Sequence, residues 1–269
     1  MKVKVTGYVD GMNFYEASKG KPWYPSGWCN WRETFAEYCP GSEVSVRYFT
    51  SRYEGGNRER VERQNLHLRA MEEVARAEII YGSVRERSIK QREWPESECQ
   101  CGCNKRLVEK MTDVNIAIRL LEDAIDGLFD RAYVVSADVD LIPAIHAALR
   151  RAPNARVIAL LPPDSVMADA YAKLGPAYPG RSEAKHLDLD KLRRFSDDLP
   201  LRWGMRLPEH WREHADKRPL QRESGRKPVR RPGRPALWYE ESAGCGSKGA
   251  SKEPAIARAS APADRGRGV

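Results

Sequence analysis

AYVVSADVDLIPAIHAALRRAPNARVIALL, residues 132–161, decides the fold class. Ala132–Ser136 is a short, wholly apolar run of the kind buried on both faces of a parallel sheet. Leu141–Arg150 follows with apolar residues at helical spacing, and Arg156–Leu161 is a second apolar run. Strand, helix and strand joined by short connections form a crossover unit, whose right-handedness puts both strand ends at one sheet edge. Outward from this unit the same alternation recurs. Lys2–Tyr8 and Glu43–Thr50 read as strands, Gly7 in the first marking a place where a neighbour approaches closely. Trp31–Tyr38 and the segment RERVERQNLHLRAMEEVARAE (58–78) read as helices, the second through Val61, Leu68, Met71 and Val74 or Ala75. Ile79–Val84 reads as a further strand, and Asp113–Leu128 as a helix whose buried stripe is Ile116, Ala117, Leu120, Leu121, Ala124 and Leu128. Asp10–Asn13 reads as a strand-to-loop transition. The pattern predicts an α/β fold: a three-layer α/β/α sandwich with a mostly parallel central sheet.

Charge divides the chain. Of the 269 residues, 41% are hydrophobic, enough for a real core, and the formal charge is +8. Residues 216–269 hold 13 Lys/Arg against 6 Asp/Glu, which leaves 33 against 32 in residues 1–215. The excess is therefore a property of the tail, whose Pro-, Gly-, Ala- and Arg-rich composition predicts disorder. Three units follow: a domain over 1–195 with a Cys-containing insertion at about 85–108, a docked extension over 196–215, and a disordered basic tail over 216–269. No apolar run reaches 18 residues and the start lacks a signal-peptide pattern, so neither membrane association nor export is expected. Six scattered cysteines suit a reduced, cytoplasmic setting.

Four aspartates stand where a core would not ask for them. Asp10 ends VKVTGYVD (3–10), Asp113 opens TDVNIAIRLLEDAI (112–125), and Asp138 and Asp140 follow the strand at 132–136. An acid just after a buried strand costs desolvation. Several acids meeting at one sheet edge repel each other unless a cation lies between them, and hard oxygen ligands suit Mg²⁺ or Mn²⁺. Such a site suits phosphodiester chemistry. Local structure competes for each acid: Asp10 before Gly11 is a turn pair, Asp113 and Asp140 stand at helix starts, and Thr112 competes with Asp113 as a cap. Asp138 has no comparable local role. In continuing strand geometry it and Asp140 would face the same side.

Around these acids, Asn13 is one turn past Asp10 and its amide could orient water or phosphate, although a cap is the plainer role. Ser136 reads as a hydroxyl supporting the acids, and Lys110 as a solvated lysine with a second reading as a phosphate contact. Cys99, Cys101 and Cys103 offer three thiolates toward Zn²⁺, with Cys29, Cys39 or His67 as a fourth ligand; reduced cysteines in an irregular insertion are the plainer reading. No G-x-G-x-x-G, P-loop or G-x-S-x-G motif occurs, and VDGMN lacks the second Asp of an aspartyl-phosphate phosphohydrolase.

VDGMNFY (9–15), EKMTDVNIAIRLLEDA (109–124) and YVVSADVDLIPAIHAAL (133–149) followed by RVIALLPP (156–163) together resemble the NYN-domain family, relatives of the PIN nucleases. The likeness runs in order through about residues 3–195. It departs at Ser136-Ala137-Asp138, where relatives often carry Ser-Gly-Asp. The resemblance implies a PIN-like α/β/α fold and a metal-dependent ribonuclease acting on single-stranded or structured RNA. Its acidic positions fall on Asp10, Asp113, Asp138 and Asp140, with the family's Asn at Asn13. RNA is then the expected partner and Mg²⁺ or Mn²⁺ the expected cofactor, with the basic tail adding nonspecific phosphate attraction. A homo-oligomer is compatible with this. Some relatives bind or regulate without turnover, so an RNA-binding module is the competing expectation, and an adaptor using the Trp-rich segments a weaker one.

Overall fold

Parallel strands need crossovers, and this chain supplies them as helices. In a computed structural model, which describes residues 2–18, 21, 28–53, 58–88 and 105–195, the strands β1 (Lys4–Asp10), β2 (Glu43–Thr50), β3 (Glu78–Tyr81), β6 (Arg131–Val135), β7 (Arg156–Leu161) and β8 (Ser182–His186) form one sheet. Its order is β3-β2-β1-β6-β7-β8 and every pairing is parallel. The chain builds outward from β1 to β3, then returns to the other side of β1 with β6 and builds outward again to β8. β1 and β6 thus flank the point where the winding reverses, the place where open α/β sheets leave a crevice at the carboxyl ends of their strands.

Alternation along the strands sorts the side chains into two cores. Val5, Val9, Tyr133, Val135, Ile158 and Leu160 pack with α1 (Gly11–Ser18), α2 (Trp31–Tyr38) and α3 (Arg58–Glu73) through Phe14, Trp31, Phe35, Leu66, Leu68 and Met71. Tyr8, Ala132, Val134, Val157, Ala159 and Leu161 pack on the other face against α4 (Thr112–Ile125) and α5 (Ile142–Arg151), and against Tyr171 and Leu174 of the short helices α6 (Asp169–Ala172) and α7 (Leu174–Ala177). The molecule is the expected three-layer sandwich. The close approach at Gly7 is to a ring: an added Cβ there would lie 1.9 Å from Phe35. Phe35 in turn stacks on Tyr133 with centroids 5.5 Å apart. Among the described residues, no helix is long and apolar enough to cross a membrane.

Several elements differ from the sequence reading. The first strand runs on through Asp10, and α1 starts at Gly11 with no intervening loop. The strand expected over 79–84 breaks at Gly82 into β3 and a separate β4 (Ser83–Ser88). β4 pairs antiparallel with β5 (Lys105–Lys110), so both flanks of the supposed irregular insertion are an ordered two-stranded ribbon. Their sequences, SVRERS and KRLVEK, lack the apolar alternation of a half-buried strand because the ribbon stands apart from the main sheet. The strand β8 (SEAKH), at the edge of the main sheet, lacks that alternation too and escaped notice. Leu128 is exposed, since α4 ends at Ile125 and Gly127 turns the chain at φ 64°. Cys99, Cys101 and Cys103 fall outside the described residues, as do the extension at 196–215 and the tail at 216–269. Cys29 is buried and its thiol is pushed up to about 12 by burial, while burial pushes His67 down to about 4. Cys29 belongs to the core formed with α1, α2 and α3, and His67, on α3, meets the Tyr48 hydroxyl at 3.3 Å.

Candidate acidic site at the sheet switch point

Asp10 ends β1 beside the switch point and is 4% exposed. It caps the helix that follows: its Oδ1 accepts the Asn13 backbone N–H at 3.0 Å, satisfying a first-turn donor that would otherwise lack a partner. Its Oδ2 accepts the Ser136 hydroxyl, also at 3.0 Å. Ser136, fully buried just past β6, receives the Asp138 backbone N–H on the same oxygen at 3.1 Å. Asn13 completes the tie from the other side, its Oδ1 accepting the Ala137 N–H at 3.0 Å. The β1–α1 junction and the β6 end are thus cross-linked by two hydrogen bonds, each joining residues more than 120 positions apart in sequence. Gly11 is required beneath them: a Cβ there would come within 2.6 Å of the Tyr48 ring and 2.9 Å of the Phe49 carbonyl.

Asp138 has the local role that its sequence context hid. It caps a single 3-10 turn, Val139–Leu141, by accepting the Asp140 N–H on Oδ1 at 2.9 Å. The strand stops at Val135, so strand alternation does not govern Asp138 and Asp140, and Asp140 is exposed within the turn. The Tyr171 hydroxyl, carried by α6, donates to the Asp138 carbonyl at 2.6 Å and fixes the loop from above. Asp113 lies in the first turn of α4, reached through Met111 in the left-handed region at φ 79°. No side chain caps that helix start; Thr112 instead donates its hydroxyl to Glu109 Oε1 at 2.5 Å.

Glu109, on β5, is the acid that sequence reasoning missed. Its Oε1 also accepts the Ser51 hydroxyl at 2.8 Å, which binds the ribbon to the β2 end. Lys110, the next residue, is exposed. Glu109 was legible only as one residue of a charged run, because a two-residue alternation cannot be seen until the segment is known to be a strand.

The electrostatics tie these acids together. Asp10 is pushed up to about 7, first by burial and further by Asp113 and Glu109, against the lowering pull of the bonds from Asn13 and Ser136. Asp113 is raised by burial and by Asp138, Glu109 and Asp140. The charged groups acting on both are all acidic, which is the environment a divalent cation relieves. Among the described residues no three acidic, His or Cys side chains are already grouped to enclose a metal ion. Mg²⁺ retains several waters and needs only one or two direct carboxylates, so the hard oxygen donors of Asp10, Asp113, Asp138 and Asp140 suit its chemistry without forming a closed cage.

A pH dependence follows with a definite sign. Between the ordinary carboxylate range and about 7, folded Asp10 keeps a proton that the unfolded chain has lost. The folded state then binds more protons, so stability falls as pH rises across that window and levels off above it. His67, pushed down to about 4, works in the opposite direction over part of this window, so the contribution of Asp10 is read against Asp10→Asn: relative to that variant, the metal-free parent is expected to lose melting temperature between pH 5.5 and pH 8. Added Mn²⁺ is expected to raise the melting temperature more at pH 8, because the cation competes with the proton. Melting curves of parent and Asp10→Asn at the two pH values check both; the same difference between the two proteins at pH 5.5 and pH 8 would mean that Asp10 is not raised.

Comparison with known proteins adds little. No family model matches the chain, and no curated protein matches it. A solved structure of a protein of unknown function from Vibrio parahaemolyticus is similar at 19% identity with a TM-score of 0.44, covering 71% of this chain and 97% of that one.

Proposed function

We propose that the chain is a metal-dependent ribonuclease of the NYN type, hydrolysing RNA phosphodiester bonds at the acidic crevice between β1 and β6. The observation that supports this reading is that acids from separate segments act on one another at the switch point: Asp113 adds to the raised proton affinity of Asp10, and Asp138 and Asp140 add to that of Asp113. In this reading Asp10, Asp113 and Asp138 hold Mg²⁺ or Mn²⁺ and Asp140 supports it. When bound, the cation supplies Lewis-acid polarisation of the phosphoryl oxygen and a water of lowered pKa. Ser136 holds the Asp10 carboxylate in one orientation, and Asn13 keeps the β6 loop against α1. Lys110 contributes positive charge at the crevice rim. A cytoplasmic setting and tail contacts to RNA belong to the same proposal.

One observation favours a second reading. Asp10 and Asp138 are both engaged as caps, as they would be in an RNA-binding module without turnover. Incubating the purified protein with mixed labelled RNA and DNA in Mg²⁺, Mn²⁺ or EDTA separates the two. RNA shortened with either cation and intact in EDTA is the expected result. Folded protein that retains RNA yet leaves it whole under every condition would sink the enzyme reading.

A further inference from the structure

The ribbon β4–β5 has no part in the sheet, yet its base is clamped to the crevice. Gly82 connects β3 to β4 and donates its N–H to the Thr50 carbonyl at 2.8 Å. A Cβ at Gly82 would lie 2.5 Å from the Thr112 hydroxyl, 2.7 Å from the Lys110 carbonyl and 2.9 Å from the Ser51 hydroxyl. The returning strand passes Glu109 and runs through Met111 directly into α4 and Asp113. The ribbon therefore rises from the rim of the acidic site at a fixed position.

Its register segregates charge. Ser83 pairs with Lys110, Arg85 with Val108 and Arg87 with Arg106, and directly opposed residues share a face. One face therefore carries the positions of Arg85, Arg87, Arg106 and Lys110 and no acid. The other carries Val84, Glu86 and Ser88 opposite Glu109, Leu107 and Lys105. Arg85 and Lys110 are exposed. Residues 1–215 are nearly neutral, so four cations on one face are not a sample of general basicity. Six paired residues extend roughly 20 Å, with same-face cations on one strand roughly 7 Å apart.

We propose, resting on the ribonuclease reading above, that this face of the ribbon is a phosphate-tracking arm that holds an RNA strand and leads it into the crevice. Arginine forks grip phosphate oxygens in two-point contacts, and an extended ladder of them reads backbone rather than base sequence. The acids at the ribbon base repel a polyanion unless a cation occupies the crevice. The arm supplies the attraction that brings the strand there, while Glu109 on the opposite face stays with the site.

Binding of a labelled single-stranded RNA oligonucleotide to the full chain, in EDTA and across a salt series, tests this. Changing all four cations (R85Q/R87Q/R106Q/K110Q) is expected to weaken binding at least about tenfold and to reduce the log affinity against log salt slope by about three, at about 0.7 per phosphate. Lys105→Gln, from the other face, is expected to leave the slope within about one contact's worth. Should the fourfold variant fail to fold, R85Q/K110Q at the two exposed positions is expected to show about half the loss in slope. A folded variant with parental affinity and slope overturns the arm; if it still cuts RNA, the ribonuclease reading survives. A slope change from Lys105→Gln matching the fourfold variant also overturns the arm. Parent protein that neither binds nor cuts RNA overturns both.

Discussion

Asp138→Asn is expected to lower cation-dependent RNA cleavage by about 100-fold or more while the protein stays folded and keeps its RNA affinity. The substitution is chosen because the side chain does two things that an amide splits apart. Its Oδ1 accepts the Asp140 N–H at 2.9 Å and caps the 3-10 turn. Asparagine caps as well as aspartate, so the turn persists, and the Asp138 backbone N–H to Ser136 and carbonyl to Tyr171 are untouched. What disappears is the negative charge that acts on Asp113. Asp138→Ala removes both roles and is expected to cost about 1 kcal/mol of stability in addition, the usual value of a lost cap. Cleavage rates with melting temperatures for both variants decide the matter. An Asn variant that cuts at the parental rate would take Asp138 out of the cation set and leave it a cap.

Much of this arrangement was legible before any coordinates. The crossover unit at 132–161 is apolar on both strands and amphipathic between them, and Trp31–Tyr38, Glu43–Thr50 and Arg156–Leu161 fall where the pattern placed them. Acids at the ends of buried strands stood out because the core has no use for them. Asp10 and Ser136 are buried at the crossing of β1 and β6 as their strand-end positions implied.

The rest was hidden for identifiable reasons. The ribbon is not part of the main sheet and its strands carry charge where a sheet strand carries valine, so Glu109 went unseen with it. The capping of Asp138 depends on where β6 stops, a boundary that a run of apolar residues followed by alternating acids does not mark. Tyr171 reaches the loop from a four-residue helix that has no periodicity to read. Asp123 was absent from the buried stripe of α4 because periodicity counts apolar residues, yet it is 1% exposed.

That buried aspartate leads to the largest expected loss of stability. Asp123 Oδ2 accepts the Tyr8 hydroxyl at 2.7 Å and the Arg47 Nε at 2.9 Å, and Arg119 approaches Oδ1 at 3.4 Å. Arg47 and Arg119 both continue to Glu78, so one carboxylate joins α4 to β1, β2 and, through the arginines, β3. Burial together with the Asp123 carboxylate raises the proton affinity of the Tyr8 hydroxyl, which is therefore held as a donor. Asp123→Ala leaves that hydroxyl buried without this acceptor and Arg47 without its buried counter-charge. Breaking a buried pair by removing one partner costs about 3–5 kcal/mol. The lower end is expected, because Arg47 keeps Glu78 and Arg119 is one-third exposed. For a domain of this size that corresponds to a melting temperature lower by roughly 10 °C. Asp123→Asn, which keeps an acceptor for Tyr8 but no charge, should fall between. Asp123 is about 15 Å along α4 from Asp113, so cleavage measured where the variant remains folded should match the parent. Denaturant titrations of the three proteins provide the measurement. Coincident midpoints for the parent and the alanine variant would mean that water replaces the carboxylate at no net cost, and that the cluster does not hold α4 to the sheet.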